Sequence, residues 1–254
     1  MLADPCRLGQ AVGVPPPARP TVTLVGPEGE AAAAGVVIVL DVIRAFAATA
    51  AALAAGATEI WCVAELSEAR TLRRAHPDVL LCGEDGALAP ADFDYGNSPH
   101  HPTRARFAGR TVVQRTSNGT RGLARATRAT ALLAAGATTV SATAAYVVAL
   151  QPEVVTVVCT DVDHGEDAAT AEHLARLLVG EQPDPAGLAA AVRAGGRAHI
   201  KRWAHQLGAH DLADFRADVE ACAAVDAHRF AMPAERLVDP ATGLEIVVLR
   251  AVHV

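Results

Sequence analysis

Three short turns of the sequence combine carboxylates, hydroxyls and arginines, and each turn follows an apolar run typical of a buried strand. The first turn contains Asp41 and Arg44, the second spans 115–121, and the third spans 161–167. Carboxylates accompanied by no cysteine and by a single histidine, His164, are the ligands that a hard divalent cation such as Mg²⁺ prefers. Arginine side chains and the amides of an Asn-Gly-Thr turn bind anions such as phosphate. The three turns therefore predict a site for a metal ion and a phosphorylated ligand.

Each turn also has a purely structural interpretation. Asp41 and Asp167 have the side chain of a helix N-cap, Gly119 has the freedom that a tight turn requires, and Arg44 could pair with a nearby carboxylate. In a parallel α/β sheet, however, ligands bind beyond the carboxyl ends of the strands, where the helix N-termini also lie. The recurrence of reactive side chains at this one edge favours a binding site.

Short apolar runs alternate with alanine-rich segments along most of the chain, which is the pattern of a parallel sheet covered by helices. The predicted strands are 36–40, 59–63, 111–115, 138–142, 154–159 and 245–252. The predicted helices are 44–55, 67–75 with Ser67 as N-cap, 122–135, 168–179, 185–194, 198–207 and 211–224. We therefore expect an α/β fold with a mainly parallel or mixed sheet flanked by helices in three layers (α/β/α). Its helical C-terminal region should end in a strand.

Two features bear on domain organisation. Residues 1–20 form a proline-rich N-terminal arm, and residues 21–254 form a single α/β domain, with two lobes (about 21–110 and 111–254) as one option. The segment Ala-Leu-Ala-Ala-Gly-Ala-Thr at 52–58 nearly repeats at 132–138. An internal βαβ duplication is one explanation of this match, and the alanine-rich composition alone is the other.

The segment 83–110 interrupts the alternation of strands and helices. It begins Gly-Glu-Asp-Gly at 83–86 and contains Asp-Phe-Asp-Tyr-Gly-Asn-Ser-Pro at 92–99. A polar connection of this length inside a compact domain is typical of a binding loop or lid. A surface excursion without function is the alternative.

The composition argues against several classes of protein. The chain has 254 residues, 51% of them hydrophobic, and a net charge of -6, so it should fold and should not bind nucleic acid. Its five cysteines are scattered without a Cys-x-x-Cys pair, as expected in a reducing cytoplasm. No apolar run reaches the length of a membrane span. We expect a cytoplasmic protein with no membrane partner, whose alanine-rich helices could pack into a homodimer.

Five motifs occur in a fixed order along the chain. They are Asp-Val-Ile-Arg-Ala at 41–45, Gly-Glu at 83–84, Phe-Asp-Tyr-Gly-Asn-Ser-Pro at 93–99, Thr-Ser-Asn-Gly-Thr at 116–120 and Glu-Asp at 166–167. In these motifs the sequence resembles the 2-phosphosulfolactate phosphatase family, over about 36–178 and more weakly to residue 233. The resemblance implies Mg²⁺-dependent hydrolysis of a small phosphorylated acid, from 2-phosphosulfolactate to sulfolactate and phosphate. The chain departs from the family at 46–48, where Phe-Ala-Ala replaces hydroxyl residues.

The resemblance also implies roles for individual residues. The metal ligands would be Asp41, Glu84 and Asp167. The catalytic residues would be Asp41, Glu84 and Glu166, with Glu166 positioning a water molecule. The substrate-binding residues would be Arg44, Asn97, Ser98, Asn118, Gly119 and Thr120. Whether water or a carboxylate such as Asp41 attacks the phosphorus atom stays open at this point.

Two other functions compete with this one. Asp161 and Asp163 form an Asp-x-Asp pair after an apolar run, as in aspartyl phosphatases of the haloacid dehalogenase type. Those enzymes carry the pair on their first strand and need a later lysine. In this chain the pair lies past the middle of the sequence, and Lys201 is the only lysine. The second alternative is a catalytically silent protein that binds an anionic metabolite on the same fold.

Overall fold

A computed structural model describes residues 19–161, 165–205 and 207–254 of the chain. Most of the predicted arm, together with Asp163 and His164 of the third turn, lies outside the described residues. The strands are Thr21–Val25 (β1), Gly35–Leu40 (β2), Glu59–Val63 (β3), Leu80–Gly83 (β4), Thr111–Arg115 (β5), Ala129–Ala135 (β6), Val154–Cys159 (β7), Phe230–Val238 (β8), Glu245–Leu249 (β9) and Val252–His253 (β10). The α-helices are Ala45–Ala54 (α1), Leu66–Ala75 (α2), Arg104–Phe107 (α3), Gly119–Arg125 (α4), Val140–Ala149 (α5), Glu166–Leu178 (α6), Pro185–Trp203 (α7) and Ala209–Cys222 (α8).

The described strands form one mixed sheet in the order β1-β7-β2-β6-β8-β9-β3-β5-β4, and β10 pairs with β8. Parallel pairing joins β1, β7, β2 and β6 in one half and β3, β5 and β4 in the other. The β8–β9 hairpin lies between the halves and is antiparallel to both. The predicted α/β class, with a mixed sheet flanked by helices and strands at the C-terminus, is confirmed.

The central hairpin reverses the strand direction, so β2 and β5 run in opposite directions along the sheet. Their carboxyl ends nevertheless meet, because the amide of Gly119, just beyond β5, donates a hydrogen bond of 2.8 Å to Asp41, just beyond β2. The sheet must therefore curl around α1 and α4, which contact strands of both halves. The first two turns therefore meet because the sheet curls, and not because β2 and β5 run in the same direction.

Apolar side chains fix this arrangement on both faces of the sheet. Phe46 of α1 and Leu123 of α4 are fully buried in one cluster with strand residues from both halves. On the opposite face, Leu174 of α6 packs against the first half and Leu72 of α2 against the second. Complete burial of each such side chain contributes roughly 1.5–3 kcal/mol, so the helices that carry the turns are firmly held.

The segment from 119 to 149 differs most from the sequence prediction. The predicted helix 122–135 and strand 138–142 are wrong, because 129–135 forms β6 and 140–149 forms α5. A short run of alanine and leucine suits a buried helix or a buried strand equally, and pairing with β2 and β8 decides the outcome here. The similar segments 52–58 and 132–138 are consequently a helix end and a strand end. Their likeness does not mark a repeated unit.

Smaller corrections concern helix ends and short strands. The N-cap of α2 is Glu65, in a capping box with Glu68, and Ser67 lies inside the helix. The two helices predicted over 185–207 are one helix, α7, while β1, β4 and β8 were not predicted. Among the described residues, no helix is both long and apolar enough to cross a membrane.

Candidate active site

Asp41 joins the first turn to the second. Its Oδ1 accepts a hydrogen bond from the amide of Ala45 (3.1 Å), and its Oδ2 accepts one from the amide of Gly119 (2.8 Å). The residue is buried, with 7% of its surface exposed, yet it contributes to the wall of a cavity. Asp41 is not the N-cap of α1, a position that Arg44 occupies. The carboxylate instead links two loops that come from opposite halves of the sheet.

Asp167 joins the third turn to the first. Its Oδ1 accepts from the amide of Val42 (2.9 Å), and its Oδ2 accepts from the amides of Thr160 and Asp161 (3.0 Å each). It is the second residue of α6 rather than its N-cap, and it lies behind Asp41 instead of lining the cavity. The expected convergence of the three turns therefore occurs, through two buried carboxylates and five backbone amides.

Burial makes these carboxylates hold their protons unusually tightly. Burial, reinforced by the negative charge of Glu84, raises the pKa of Asp41 to about 6. Burial and then the charge of Asp41 raise the pKa of Asp167 well above its ordinary value. A site with this concentration of negative charge is electrostatically suited to a cation.

The raised pKa of Asp41 predicts how the stability of the metal-free protein depends on pH. The folded state holds the Asp41 proton more tightly than the unfolded chain does, so protonation of Asp41 stabilises the fold. This stabilisation is complete below about pH 4 and is lost as the pH rises through about 6. Between pH 4 and pH 7, we expect the free energy of unfolding to fall by up to about 3 kcal/mol more in the wild type than in Asp41→Asn. Urea unfolding of both proteins without metal measures this difference. Parallel pH profiles would contradict it.

Glu84 connects the segment 83–110, called the long loop below, to the second turn. Its Oε1 accepts from the amide of Ser117 (2.6 Å), and its Oε2 accepts from the amide of Ala87 (2.9 Å) and the hydroxyl of Ser117 (3.2 Å). Glu84 follows β4 directly and lines the same cavity as Asp41. The segment 83–110 thus contributes residues to the cavity wall.

Glu166 holds a histidine that the sequence did not single out. Its Oε1 lies 2.6 Å from Nε2 of His199 on α7, and both residues are buried. The Oε2 of Glu166 is buried without a hydrogen-bond partner among the described residues and lies against the backbone of Gly195. A Cβ on Gly195 would overlap this carboxylate, so glycine is needed for α7 to approach α6 here. The Gly-Gly pair 195–196 inside a helix is the one sequence signal for this approach.

Arg44 is held at the wall of the cavity by α8. Its guanidinium contacts Oδ2 of Asp218 (2.6 Å), donates to the carbonyl of Ala87 (3.1 Å) and stacks over the ring of Phe215. Asp218 is fully buried, and its Oδ1 also accepts from the hydroxyl of Ser98 (2.6 Å). Ser98 therefore supports Arg44 through Asp218 and does not line the cavity that contains Asp41 and Glu84, called the main cavity below. Nothing in the sequence distinguishes Asp218 from other acidic residues on a helix surface.

Asn97 faces the cavity and is held from behind by Gln114. The Nε2 of Gln114 donates to Oδ1 of Asn97 (3.3 Å), and the Oε1 of Gln114 accepts from the hydroxyl of Thr49 (2.6 Å). Phe46, Ala47 and Ala48, at the departure from the family pattern, are buried in α1 and do not line the main cavity. That departure therefore changes the packing of α1 rather than the cavity wall.

Thr120 stabilises the second turn instead of facing the ligand site. Its Oγ1 accepts from the amide of Thr116 (2.8 Å), and its own amide donates to Oγ1 of Thr116 (3.1 Å). Asn118, two residues earlier, lines the cavity, whereas Gly119 contributes through its amide on Asp41. The three residues of the predicted anion turn thus have three different roles.

The cavity where these groups meet has a volume of about 390 Å³. Its wall combines apolar residues, including Ile43, Trp203 and Phe215, with polar ones. The polar residues are Asp41, Arg44, Glu84, Asn97, Ser117, Asn118, Thr160, Asp161, His199 and Arg202. Its size and mixed charge suit a small acidic molecule better than a polymer.

The three carboxylates predicted to bind one metal ion are not equivalent. Among the described residues, Asp41, Glu84 and Asp167 do not form a set in which one oxygen of each lies within 4.8 Å of the other two. Backbone amides engage both oxygens of each carboxylate, but Asp41 and Glu84 line the cavity and Asp167 does not. Mg²⁺ is usually held by one or two carboxylates, with water and substrate phosphate as further ligands. Asp41 and Glu84 fit that pattern.

Gly119 predicts a sharp test of the loop arrangement. A Cβ at this position would lie 2.8 Å from Oδ2 of Asp41 and 2.9 Å from Cβ of Ala45. We expect Gly119→Ala to displace the start of α4, to cost about 1–3 kcal/mol of stability and to reduce activity. Gly136→Ala is a matched control, since its Cβ would meet nothing nearer than 3.8 Å. Equal thermal stability and activity in the two variants would contradict the role of Gly119.

A curled α/β sheet whose loops bring carboxylates, an arginine and amide groups to one cavity defines the class: an α/β protein with a candidate site for a small molecule. The family model for 2-phosphosulpholactate phosphatase matches residues 24–235. The chain therefore belongs to the 2-phosphosulpholactate phosphatase family, a family of hydrolases.

Individual relatives agree with this assignment. The chain is 35% identical over 169 residues to a probable 2-phosphosulfolactate phosphatase of Deinococcus radiodurans, covering 63% of this chain and 70% of the relative. A protein of the same name from Gloeobacter violaceus is 36% identical over 160 residues, covering 61% and 68%. One from Thermus thermophilus is 46% identical over 86 residues, which is 34% of this chain and 35% of the relative. The matched part thus spans between about a third and 70% of these relatives.

Proposed function

We propose that the protein is a Mg²⁺-dependent phosphomonoester hydrolase that releases phosphate from a small phosphorylated acid of the 2-phosphosulfolactate type. The observation that carries this proposal is the presence of Asp41, Glu84 and Arg44 in the wall of one cavity. The names of the relatives supply the substrate class. The cytoplasmic setting is part of the proposal, and the four described cysteines are buried without disulfide bonds.

Charge balance supports the metal. A phosphate monoester is close to a dianion at neutral pH, so Asp41 and Glu84 would repel it if nothing neutralised them. Asp41 and Glu84 would hold Mg²⁺ in the cavity, and Asp167 would fix the loops that carry Asp41. When bound, the metal would neutralise charge on the phosphoryl group and lower the pKa of a bound water molecule.

The remaining residues of the wall divide the substrate between them. Asn118 lines the cavity just before α4, and its side-chain amide group can donate a hydrogen bond to a phosphate oxygen. Arg44, held by Asp218, is placed to bind a second acidic group of the substrate. Asn97, fixed by Gln114, presents its amide group to the same cavity.

Water is the better nucleophile in this arrangement. Both oxygens of Asp41 already accept backbone hydrogen bonds, which lowers their nucleophilicity and fixes their direction. His199 lines the cavity and is held by Glu166, so it is placed to give a proton to the departing oxygen of the substrate. In this account Glu166 orients His199, a role different from the water-positioning role that the sequence suggested.

Glu166→Gln tests this role of Glu166. We expect the substitution to keep the fold and to lower kcat by about 10–100-fold with little effect on KM, because the histidine loses its charged partner rather than a substrate contact. The measurement is steady-state phosphate release by the two proteins. A change confined to KM would assign Glu166 to substrate binding instead.

A panel of substrates tests the proposed function. Phosphate release is measured with 2-phosphosulfolactate, phospholactate and p-nitrophenyl phosphate at equal Mg²⁺ concentration. We expect the highest kcat/KM with the substrate that carries the most acidic groups near the ester. Binding of these compounds without turnover of any of them would favour the silent binding protein.

A further inference from the structure

A second cluster of metal-binding side chains lies between the long loop and α8, outside the main cavity. One ring nitrogen each from His100 and His101 and one carboxylate oxygen of Asp214 lie within 4.8 Å of one another. The Nε2 of His101 is 3.6 Å from Oδ2 of Asp214, and the two imidazole rings meet edge to face with 4.3 Å between centroids. Each of the three side chains is about a third or more exposed, so an ion from solvent can reach them.

A buried carboxylate orients the first of these histidines. The Nδ1 of His100 lies 2.6 Å from Oδ1 of Asp218, which is completely buried. A histidine that binds a metal through one nitrogen usually donates the other N–H to such a carboxylate, which fixes the ring and strengthens the ligand. Asp218 is itself held by Ser98 and Arg44, so His100 is supported by a rigid group.

The chemistry of the cluster selects a different ion from the one proposed for the cavity. Two imidazoles and one carboxylate suit Zn²⁺ and similar transition metals, whereas Mg²⁺ prefers oxygen ligands alone. Zinc ligands in a tetrahedral site are about 3.4 Å apart, so His101 and Asp214, at 3.6 Å, are already close to that spacing, and no pair would have to approach by more than about 1.4 Å. Their partial exposure leaves room for that adjustment.

We propose that His100, His101 and Asp214 form a binding site for a divalent transition metal such as Zn²⁺, with water completing the coordination. A bound ion would tie the long loop to α8 at the same Asp218 that holds Arg44. The proposal concerns metal binding and holds whether or not the protein hydrolyses phosphate esters.

Zn²⁺ titration of the full-length, tag-free protein tests the proposal. Zn²⁺ binding is monitored through competition with a chromophoric chelator. Excess Mg²⁺ is present to occupy the carboxylates of the cavity. We expect one Zn²⁺ per chain in the wild type and affinity at least tenfold weaker in His101→Ala and in Asp214→Asn. Circular dichroism checks that each variant is folded.

Two controls separate this site from others in the chain. His253→Ala removes an exposed histidine far from the cluster in sequence and should leave Zn²⁺ binding unchanged. Asp41→Asn should also leave it unchanged, because Asp41 belongs to the cavity. The proposal is overturned if the wild type binds no Zn²⁺ in excess Mg²⁺, or if binding survives both His101→Ala and Asp214→Asn.

Discussion

Replacing Asp41 by asparagine is expected to lower Mg²⁺-dependent phosphate release by about 10²–10³-fold while the protein stays folded. The substitution keeps the size of the side chain and one oxygen, which can accept from the amide of Ala45 or of Gly119, while the other amide loses its acceptor. It removes the charge that Mg²⁺ needs and that sets the local electrostatics of the cavity. Steady-state kinetics at several Mg²⁺ concentrations, together with thermal unfolding, measure both effects.

Asp92→Asn is a suitable control for that experiment. Asp92 forms an ion pair with Arg70 on the surface, so its loss should change neither activity nor Mg²⁺ dependence appreciably. Turnover by Asp41→Asn within a few-fold of the wild type would remove Asp41 from the catalytic machinery.

The second large effect is expected from Arg44→Gln, which should change substrate selectivity more than chemistry. A charge-assisted contact to an acidic group is worth about 1.5–3 kcal/mol, so kcat/KM for 2-phosphosulfolactate should fall by about 10–100-fold. The value for p-nitrophenyl phosphate, which has no second acidic group, should fall much less. The ratio of the two kcat/KM values is the informative measurement.

A surface variant controls for the general loss of positive charge. Arg176→Gln removes an exposed guanidinium that pairs with Glu181 and should leave the ratio unchanged. An equal loss on both substrates in Arg44→Gln would mean that Arg44 binds the phosphate or supports the fold, not a second acidic group.

Much of the site could be predicted from the sequence because its main residues lie in loops next to strands. Asp41 and Asn118 follow predicted strands, and both line the cavity. Glu84 also lines it but follows β4, which was not predicted, and the family resemblance indicated this residue. The sequence analysis attributes the meeting of these loops to the common edge of a parallel sheet, and this explanation is incomplete. Periodicity predicts strands but not their pairing, so the antiparallel hairpin and the resulting curl of the sheet could not be foreseen.

The rest of the site depends on contacts between residues far apart in the sequence. Asp218 is 174 residues from Arg44, and His199 is 33 residues from Glu166. Each lies on a helix whose packing decides which neighbour it meets, and helix periodicity alone does not contain that information. Ser98 and Thr120 illustrate the converse, since they lie in motifs of the site but support it from behind.

The most direct test of the central claim is phosphate release from 2-phosphosulfolactate by the purified protein with Mg²⁺, after EDTA, and after Mg²⁺ is added back in excess. The proposed function predicts turnover that EDTA abolishes and that added Mg²⁺ restores. Turnover that is unaffected by EDTA would contradict the proposed role of the Asp41 and Glu84 carboxylates. Absence of turnover under all three conditions would contradict the hydrolase itself.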